Sequence, residues 1–380
     1  MSPSPPSPPS PQLLRRLWRR RRRTATRLGA IALTVGFLAL AFAWTAGWLS
    51  PSRLSGADVA DVLERHNGEH PGFRRAHEKG VCVVGHFDSN GLGRALSKAA
   101  VFAPGRTPVF GRFALAVGSP YAPDGVPAPR SLALDLSARD GSTWRTAMNS
   151  VPLFPVGNVR DFVALQRATT PDPATGKPDP DKVAAFMAAH PETRAFNALM
   201  ASRPIPSSFA NGSYHSINAF RFIDAGGATR AVRWSLVPEA AFSALDRDRF
   251  DAMNARDRDF LFNDLFTRVR REPQRWHLVV TVAEPGDRTD NATVQWPRTR
   301  ERVDVGTLVI EQALAEPAGP CRDVTFDPLV LPPGIAASDD PLLAARSAVY
   351  AASLRRRSGE GPHPGAPAAT HTATAPEARP

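Results

Sequence analysis

The segment FDPLVLPPGIAASDDPLLAARSAVYAASLRRR occupies residues 326–357 and carries unusually clear signals for the two ends of a helix. Ser338, Asp339, Asp340 and Pro341 supply a capping hydroxyl, first-turn acids and an early proline. Arg355, Arg356 and Arg357 suit the opposite end of the helix dipole. These signals predict a helix over 339–355. Arg346 and Tyr350 lie four residues apart, hence on one face a single turn from each other. Tyrosine occurs at only three positions, Tyr121, Tyr214 and Tyr350, so its placement beside an arginine needs weighing. Taken alone, the pair reads as a packed tyrosine with its hydroxyl near a guanidinium. The chemical alternative is a phenolate, which a neighbouring cation favours and which is a hard anionic ligand suited to ferric iron.

Working outward, strand-like runs dominate the chain. They are GVCVVGHF (80–87), TPVFGRFALAVG (107–118), RSLALDLSA (130–138), WRTAMNSVPLFPV (144–156), AFRFID (219–224), TRAVRWSLV (229–237), WHLVVTVAE (276–284) and VGTLVIEQAL (305–314). Several alternate apolar and polar residues, as half-buried antiparallel strands do. Eight such runs suggest a closed barrel, which leaves no free edges. Helical stretches interrupt them at 56–67, 159–168, 180–202 and much of 238–272. The fold class expected is α+β: an antiparallel β-barrel with surrounding α-helices, preceded by a single N-terminal transmembrane helix.

The net charge of +11 invites thoughts of nucleic acid, but its placement argues against that. Residues 1–27 hold eight arginines and no acid, and the stretch from Arg355 onward adds a small excess. The body between is close to neutral, with no basic stripe to track phosphates. The arginines precede LGAIALTVGFLALAFAWTAGWL (28–49), 22 residues without a charge, enough to cross a hydrocarbon core of about 30 Å. The basic cluster should stay cytoplasmic, with Trp44 and Trp48 at the far interface. A cleaved signal peptide ending at Ala41-Phe42-Ala43 is the alternative. Either way the body lies in the periplasm or outside the cell. The organisation expected is a disordered basic segment (1–27), an anchor (28–49), one catalytic domain (56–357) and a disordered Pro/Ala/Thr-rich tail (358–380). Cys82 and Cys321, the only cysteines, could pair outside the cytoplasm or be two small buried residues.

The 326–357 segment resembles the proximal-helix region of haem catalases and, more closely, of the short catalase-related peroxidases. The likeness rests on FDP, PPGI, Ser338-Asp339 and the R-x-x-x-Y pair. It implies that Tyr350 is the axial ligand of a haem iron, haem b by expectation, with Arg346 holding it as phenolate. RRAHEKG (74–80) on its own reads as a loop histidine at the mouth of a strand. It resembles the catalase pattern R-x-x-H-A-K-G, which implies that His77 stands over the opposite haem face and moves the peroxide proton. MNSVPLFPV (148–156) resembles the distal strand of catalases, implying that Asn149 hydrogen-bonds peroxide and that Phe154 and Phe162 line the haem. The same resemblance places Arg74, Arg112 and Arg357 against haem propionates. Arg112, inside the apolar FGRFAL, needs a partner in any reading.

The pattern also departs from catalases. The resemblance spans 56–357, without the long arm and added domain with which catalases assemble tetramers and lengthen their channel. Ala114 stands where they carry a serine bonded to the distal histidine, so the orientation of His77 must be set otherwise. Ala128 stands for a channel aspartate, Ala76 for a valine, Ala352 for an aspartate, and Asn218 for a histidine, which removes a polar contact. A shorter, wider and less polar approach points to a peroxidase of H2O2 or organic hydroperoxides with little dismutation, using an unidentified electron donor. A fatty-acid hydroperoxide-converting enzyme of the allene oxide synthase type, and a non-catalytic haem-binding barrel, are the competing readings. Oligomeric state stays open between monomer and dimer.

Overall fold

The structure, a computed structural model, describes residues 11–46, 49 and 54–361. The chain divides into two compact units, Met1–Arg53 and Leu54–Pro380. In the first, helix α1 spans Pro11–Thr45, and its stretch Thr24–Thr45 is long and apolar enough to cross a membrane. The helix therefore begins inside the 1–27 segment expected to lack structure. Leucine and arginine are strong helix formers, and extending an existing helix avoids the cost of a new nucleus. Residues 1–10, Trp48 and residues 362–380 of the expected tail lie outside the described residues.

The second unit opens with α2 (Gly56–Asn67), then β1 (Gly80–Ser89), β2 (Gly105–Leu115), β3 (Arg130–Ser137) and β4 (Thr143–Asn149). Helices α3 (Val159–Thr169), α4 (Pro180–Ala189) and α5 (Pro191–Ser202) follow, then the short strands β5 (Ile205–Pro206), β6 (Tyr214–His215) and β7 (Phe220–Ile223). Next come β8 (Thr229–Pro238), β9 (Ala244–Leu245), α6 (Arg247–Arg256) and α7 (Phe260–Arg271). The chain continues through β10 (Gln274–Val282), β11 (Arg302–Ala315), β12 (Ile335–Ala337) and α8 (Pro341–Gly359).

The strands run in the order β10-β11-β1-β2-β3-β4-β6-β8, and β8 pairs back onto β10, closing an eight-stranded antiparallel barrel. The sequence expectation of eight strands and a barrel holds, with one change of membership. AFRFID forms β7, which lies outside the ring against β8 and β12, and the two-residue β6 takes its place. Two residues are too short to show periodicity. The 180–202 helix is also two helices, broken where His190 leads into Pro191, which cannot donate an intrahelical hydrogen bond.

Strand alternation divides the barrel walls. Inward residues such as Val81, Val83, Phe113, Leu132, Leu134, Trp144 and Trp234 are almost wholly buried. Phe113 packs between Phe209, Tyr214 and Trp276 at ring-centroid distances of 5.3, 5.6 and 5.9 Å. Four of the outward residues at one end of β2, β3 and β4, Ala114, Ser131, Ala133 and Ala147, are small. In register, Ala114 faces Ser131, which faces Asn149, while Arg112 faces Ala133, which faces Ala147. They leave a shallow platform, and α2, α3 and α8 close over it, α2 packing directly on α8. A capping box of Ser55 and Asp58 starts α2.

Cys82 on β1 and Cys321, in the loop after β11, form a disulfide that closes a separation of 239 residues. The open alternative thus resolves to a bond. It ties one barrel strand to the loop that passes beneath the end of α8.

Phe113→Ala should destabilise the fold by about 3–5 kcal/mol through a cavity in the barrel interior. Phe242→Ala, at an exposed position, should stay within about 0.5 kcal/mol. Unfolding of the two variants by denaturant checks the contrast.

Candidate active site

One cavity between the platform and the covering helices gathers His77, Asn149, Phe154, Phe162, Arg346, Tyr350, Arg74, Arg112 and Arg357 along its walls. All nine residues singled out in the sequence therefore converge on one place. Its empty space, open mouth included, is about 1340 Å³. Ala76, Ala114, Ala133, Ala147, Val59, Val159, Ile217 and Val349 give it a mostly apolar surface. Ala128 and Ala352 do not line it.

On one side, α8 presents Tyr350 and Arg346. Asp340 caps this helix, accepting from Leu342 N. Arg346 Nη2 donates to the Tyr350 hydroxyl at 3.3 Å and to the Ala147 carbonyl at 3.2 Å. Arg346 Nη1 donates to Asn218 Oδ1 at 2.5 Å, and Asn218 Nδ2 donates to Asp340 Oδ2 at 2.8 Å. The expectation that Asn218 removes a polar contact is therefore corrected. Its amide has a donor and an acceptor end, and it bridges a cation and an anion with them. The result is a chain from Asp340 through Asn218 and Arg346 to the phenol.

On the other side His77 sits just before β1 with φ of 55°, in the left-handed region that a non-glycine residue enters only under constraint. The constraint is Arg112. Its guanidinium donates to the His77 carbonyl at 2.7 Å and the Glu78 carbonyl at 2.9 Å. Gly80 makes this possible, because a Cβ there would meet the guanidinium carbon at 2.5 Å. The imidazole Nδ1 lies 3.0 Å from Ser131 Oγ. Burial, reinforced by repulsion from Arg112, Arg346 and Arg74, lowers the His77 pKa to about 3, which keeps the ring neutral. Asn149 ends β4 beside it, opposite Ser131 in register. Phe154 and Phe162 stack at 5.9 Å between centroids.

At the third wall, Arg74, Arg112 and Arg357 converge. Arg112 makes a forked contact with Glu316, Nε at 2.9 Å and Nη2 at 2.7 Å, and Arg74 Nε reaches the same carboxylate at 3.3 Å. Arg74 also donates to the carbonyls of Cys321 (2.7 Å) and Val324 (2.9 Å), while Arg357 donates to those of Arg322 and Val324. Two guanidiniums thus share one buried carboxylate, and the third, Arg357, is held beside them by backbone carbonyls. Burial first, then the neighbouring Arg112, depresses the pKa of Arg74 to about 9. Such a cluster favours an anionic ligand.

Sequence reasoning missed Ser131 and Glu316. Ser131 shows itself only once RSLALDLSA is paired with FGRFAL in register. Glu316 opens a single 3₁₀ turn directly after β11, and nothing local in the sequence marks it as a partner of Arg112.

A family profile described as catalase matches residues 42–363. The chain is 37% identical over 333 residues to a catalase-related peroxidase of Synechococcus elongatus, spanning 88% of this chain and 95% of that one. It is 33% identical to one of Mycolicibacterium paratuberculosis, over 82% of this chain and 96% of the relative. Among solved structures, catalase A from Saccharomyces cerevisiae superposes with a TM-score of 0.67 at 19% identity, and a bacterial catalase with 0.68 at 20%. The chain spans less than two thirds of those two structures, 64% and 62%. Profile and relatives agree, and the chain belongs to the catalase family.

Proposed function

We propose that this chain is a haem-dependent peroxidase that reduces H2O2 or organic hydroperoxides, with little oxygen evolution and an external electron donor. The observation that carries this reading is the donor set around one cavity. A phenol hydrogen-bonded by a guanidinium, a neutral imidazole, an apolar platform and an excess of buried arginines are what a flat, dianionic iron porphyrin requires. Tyr350 would hold the iron through its phenolic oxygen, with Arg346 bonded to that oxygen. Arg74, Arg112 and Arg357 would receive the propionates as carboxylate partners, and Glu316 leaves the cluster short of anions by about that charge. Phe154 and Phe162 would cover the ring edge. The relatives named above as catalase-related peroxidases support the same assignment.

Bound haem supplies the electrons that leave with the cleaved oxygen–oxygen bond. The protein's part is proton movement and positioning. The neutral ring of His77 can take the proton from the inner peroxide oxygen and return it to the outer one, so that water rather than hydroxide departs. Asn149, whose side-chain amide makes no hydrogen bond to other described residues, is available to donate to peroxide. The alanines along the wall favour an organic hydroperoxide or a reducing co-substrate over a second, polar peroxide, hence the low dismutation.

The location proposed is outside the cytoplasm, tethered through 28–49. The arginine-rich segment before the apolar helix supports this orientation, and the Cys82–Cys321 bond suits an oxidising compartment.

Purified full-length protein supplied with haem should show a Soret band with high-spin ferric features. Tyr350→Phe should alter that spectrum and weaken retention of haem, and a colourless wild type would overturn the reading. His77→Gln should keep the haem and lower peroxide turnover by about 10²–10⁴-fold, measured by stopped-flow. In the haem-free protein the depressed His77 pKa means that the unfolded chain binds its proton first. Stability should therefore fall as pH drops from 6.5 toward about 3. Denaturant unfolding between about pH 7 and 4.5 should show a smaller loss for His77→Gln, by on the order of 1 kcal/mol.

A further inference from the structure

We infer that Ser131 is the positioning residue of His77: its hydroxyl, placed one strand away from Ala114, accepts from Nδ1 and so turns an unprotonated Nε2 toward the cavity. The inference rests on the peroxidase reading for its kinetic consequence, but its structural content concerns the chain alone.

Ser131 Oγ lies 3.0 Å from His77 Nδ1 and 3.3 Å from the carbonyl oxygen of Ala114. A hydroxyl has one proton, and a carbonyl oxygen can only accept. Once the proton is directed to Ala114, the oxygen lone pairs are left for Nδ1, which must then carry the ring hydrogen. A neutral imidazole has a single ring hydrogen, so Nε2 is the acceptor. Burial supports a neutral ring, and the nearby Arg112, Arg346 and Arg74 also disfavour a second proton. Backbone strain fixes where the ring can go. His77 is held at φ of 55° by the two carbonyl contacts of Arg112, and from there its ring reaches Ser131 on β3.

The strand register explains why this serine can do the work. Ala114 and Ser131 are directly paired across β2 and β3, and Ser131 is paired with Asn149 across β3 and β4. Directly paired residues place their Cβ atoms about 5 Å apart. A hydroxyl at 131 therefore reaches toward the ring from the neighbouring strand. It also stands between the imidazole and the amide that line the same wall, so one row orders both groups that would meet peroxide.

The test uses full-length protein labelled with ¹⁵N-histidine, whose ring nitrogen shifts report the tautomer, with His77 assigned through His77→Gln. In the haem-free wild type, His77 should show a protonated Nδ1 and a bare Nε2. Ser131→Ala should lose that preference, and the double variant Ala114→Ser with Ser131→Ala should regain it by returning a hydroxyl from the adjacent strand. Once loaded with haem, Ser131→Ala should lower kcat for peroxide about ten- to a hundredfold with an unchanged spectrum, and the double variant should recover most of the loss. Ser131→Thr, which keeps the hydroxyl, covers the case in which alanine does not fold and should retain the wild-type tautomer. A wild-type ring protonated at Nε2, or an unchanged tautomer in Ser131→Ala, would overturn the inference. Failure of the peroxidase reading looks different: no haem is retained, or turnover is indifferent to His77, whatever the ring shifts show.

Discussion

The guanidinium of Arg112 is the contact on which the site is built. It lies across Gly80, holds the carbonyls of His77 and Glu78, and closes on Glu316. One side chain thereby fixes a strained histidine and belongs to the cationic wall that would take an anionic cofactor. An arginine on an apolar strand is costly to bury without partners. Here all its contacts are made to groups that the site needs in place. The Cys82–Cys321 bond reinforces the arrangement, because Cys82 pairs in register with Arg112 and the Cys321 carbonyl accepts from Arg74.

The opposite wall follows a similar logic. Asp340 caps α8 and also anchors the run through Asn218 and Arg346 to Tyr350. The signal that starts the helix in the sequence is thus connected to the phenol more than two turns later. Between the walls, Ala114, Ser131, Ala133 and Ala147 take outward positions of β2, β3 and β4, which leaves room for a flat ring. Substituting small residues on one face of a strand costs little while the inward face stays packed with Phe113, Leu132 and Trp144.

The helix that carries Arg346 and Tyr350, expected over 339–355 and found at Pro341–Gly359, and the strand runs were legible because each depends on local rules: caps, alternation and fixed helical spacing. The resemblance added the distal face, which no local rule connects to the proximal one. What stayed hidden depended on register or on tertiary course. The barrel closes through Tyr214–His215, which shows no alternation. The partner of His77 is found only when two strands are aligned residue by residue, and Glu316 reaches Arg112 across a separation of 204 residues. Asn218 read as a loss because its role lies in bridging two groups that local sequence does not connect.

The central claim is that an iron porphyrin binds between the Tyr350 phenol and the His77 imidazole. Diffraction from crystals of the haem-loaded protein, recorded at the iron absorption edge, tests it most directly. The account requires a single anomalous peak within bonding distance of the Tyr350 oxygen, with the propionates among Arg74, Arg112 and Arg357. A peak elsewhere, or iron bound to another side chain, would contradict it.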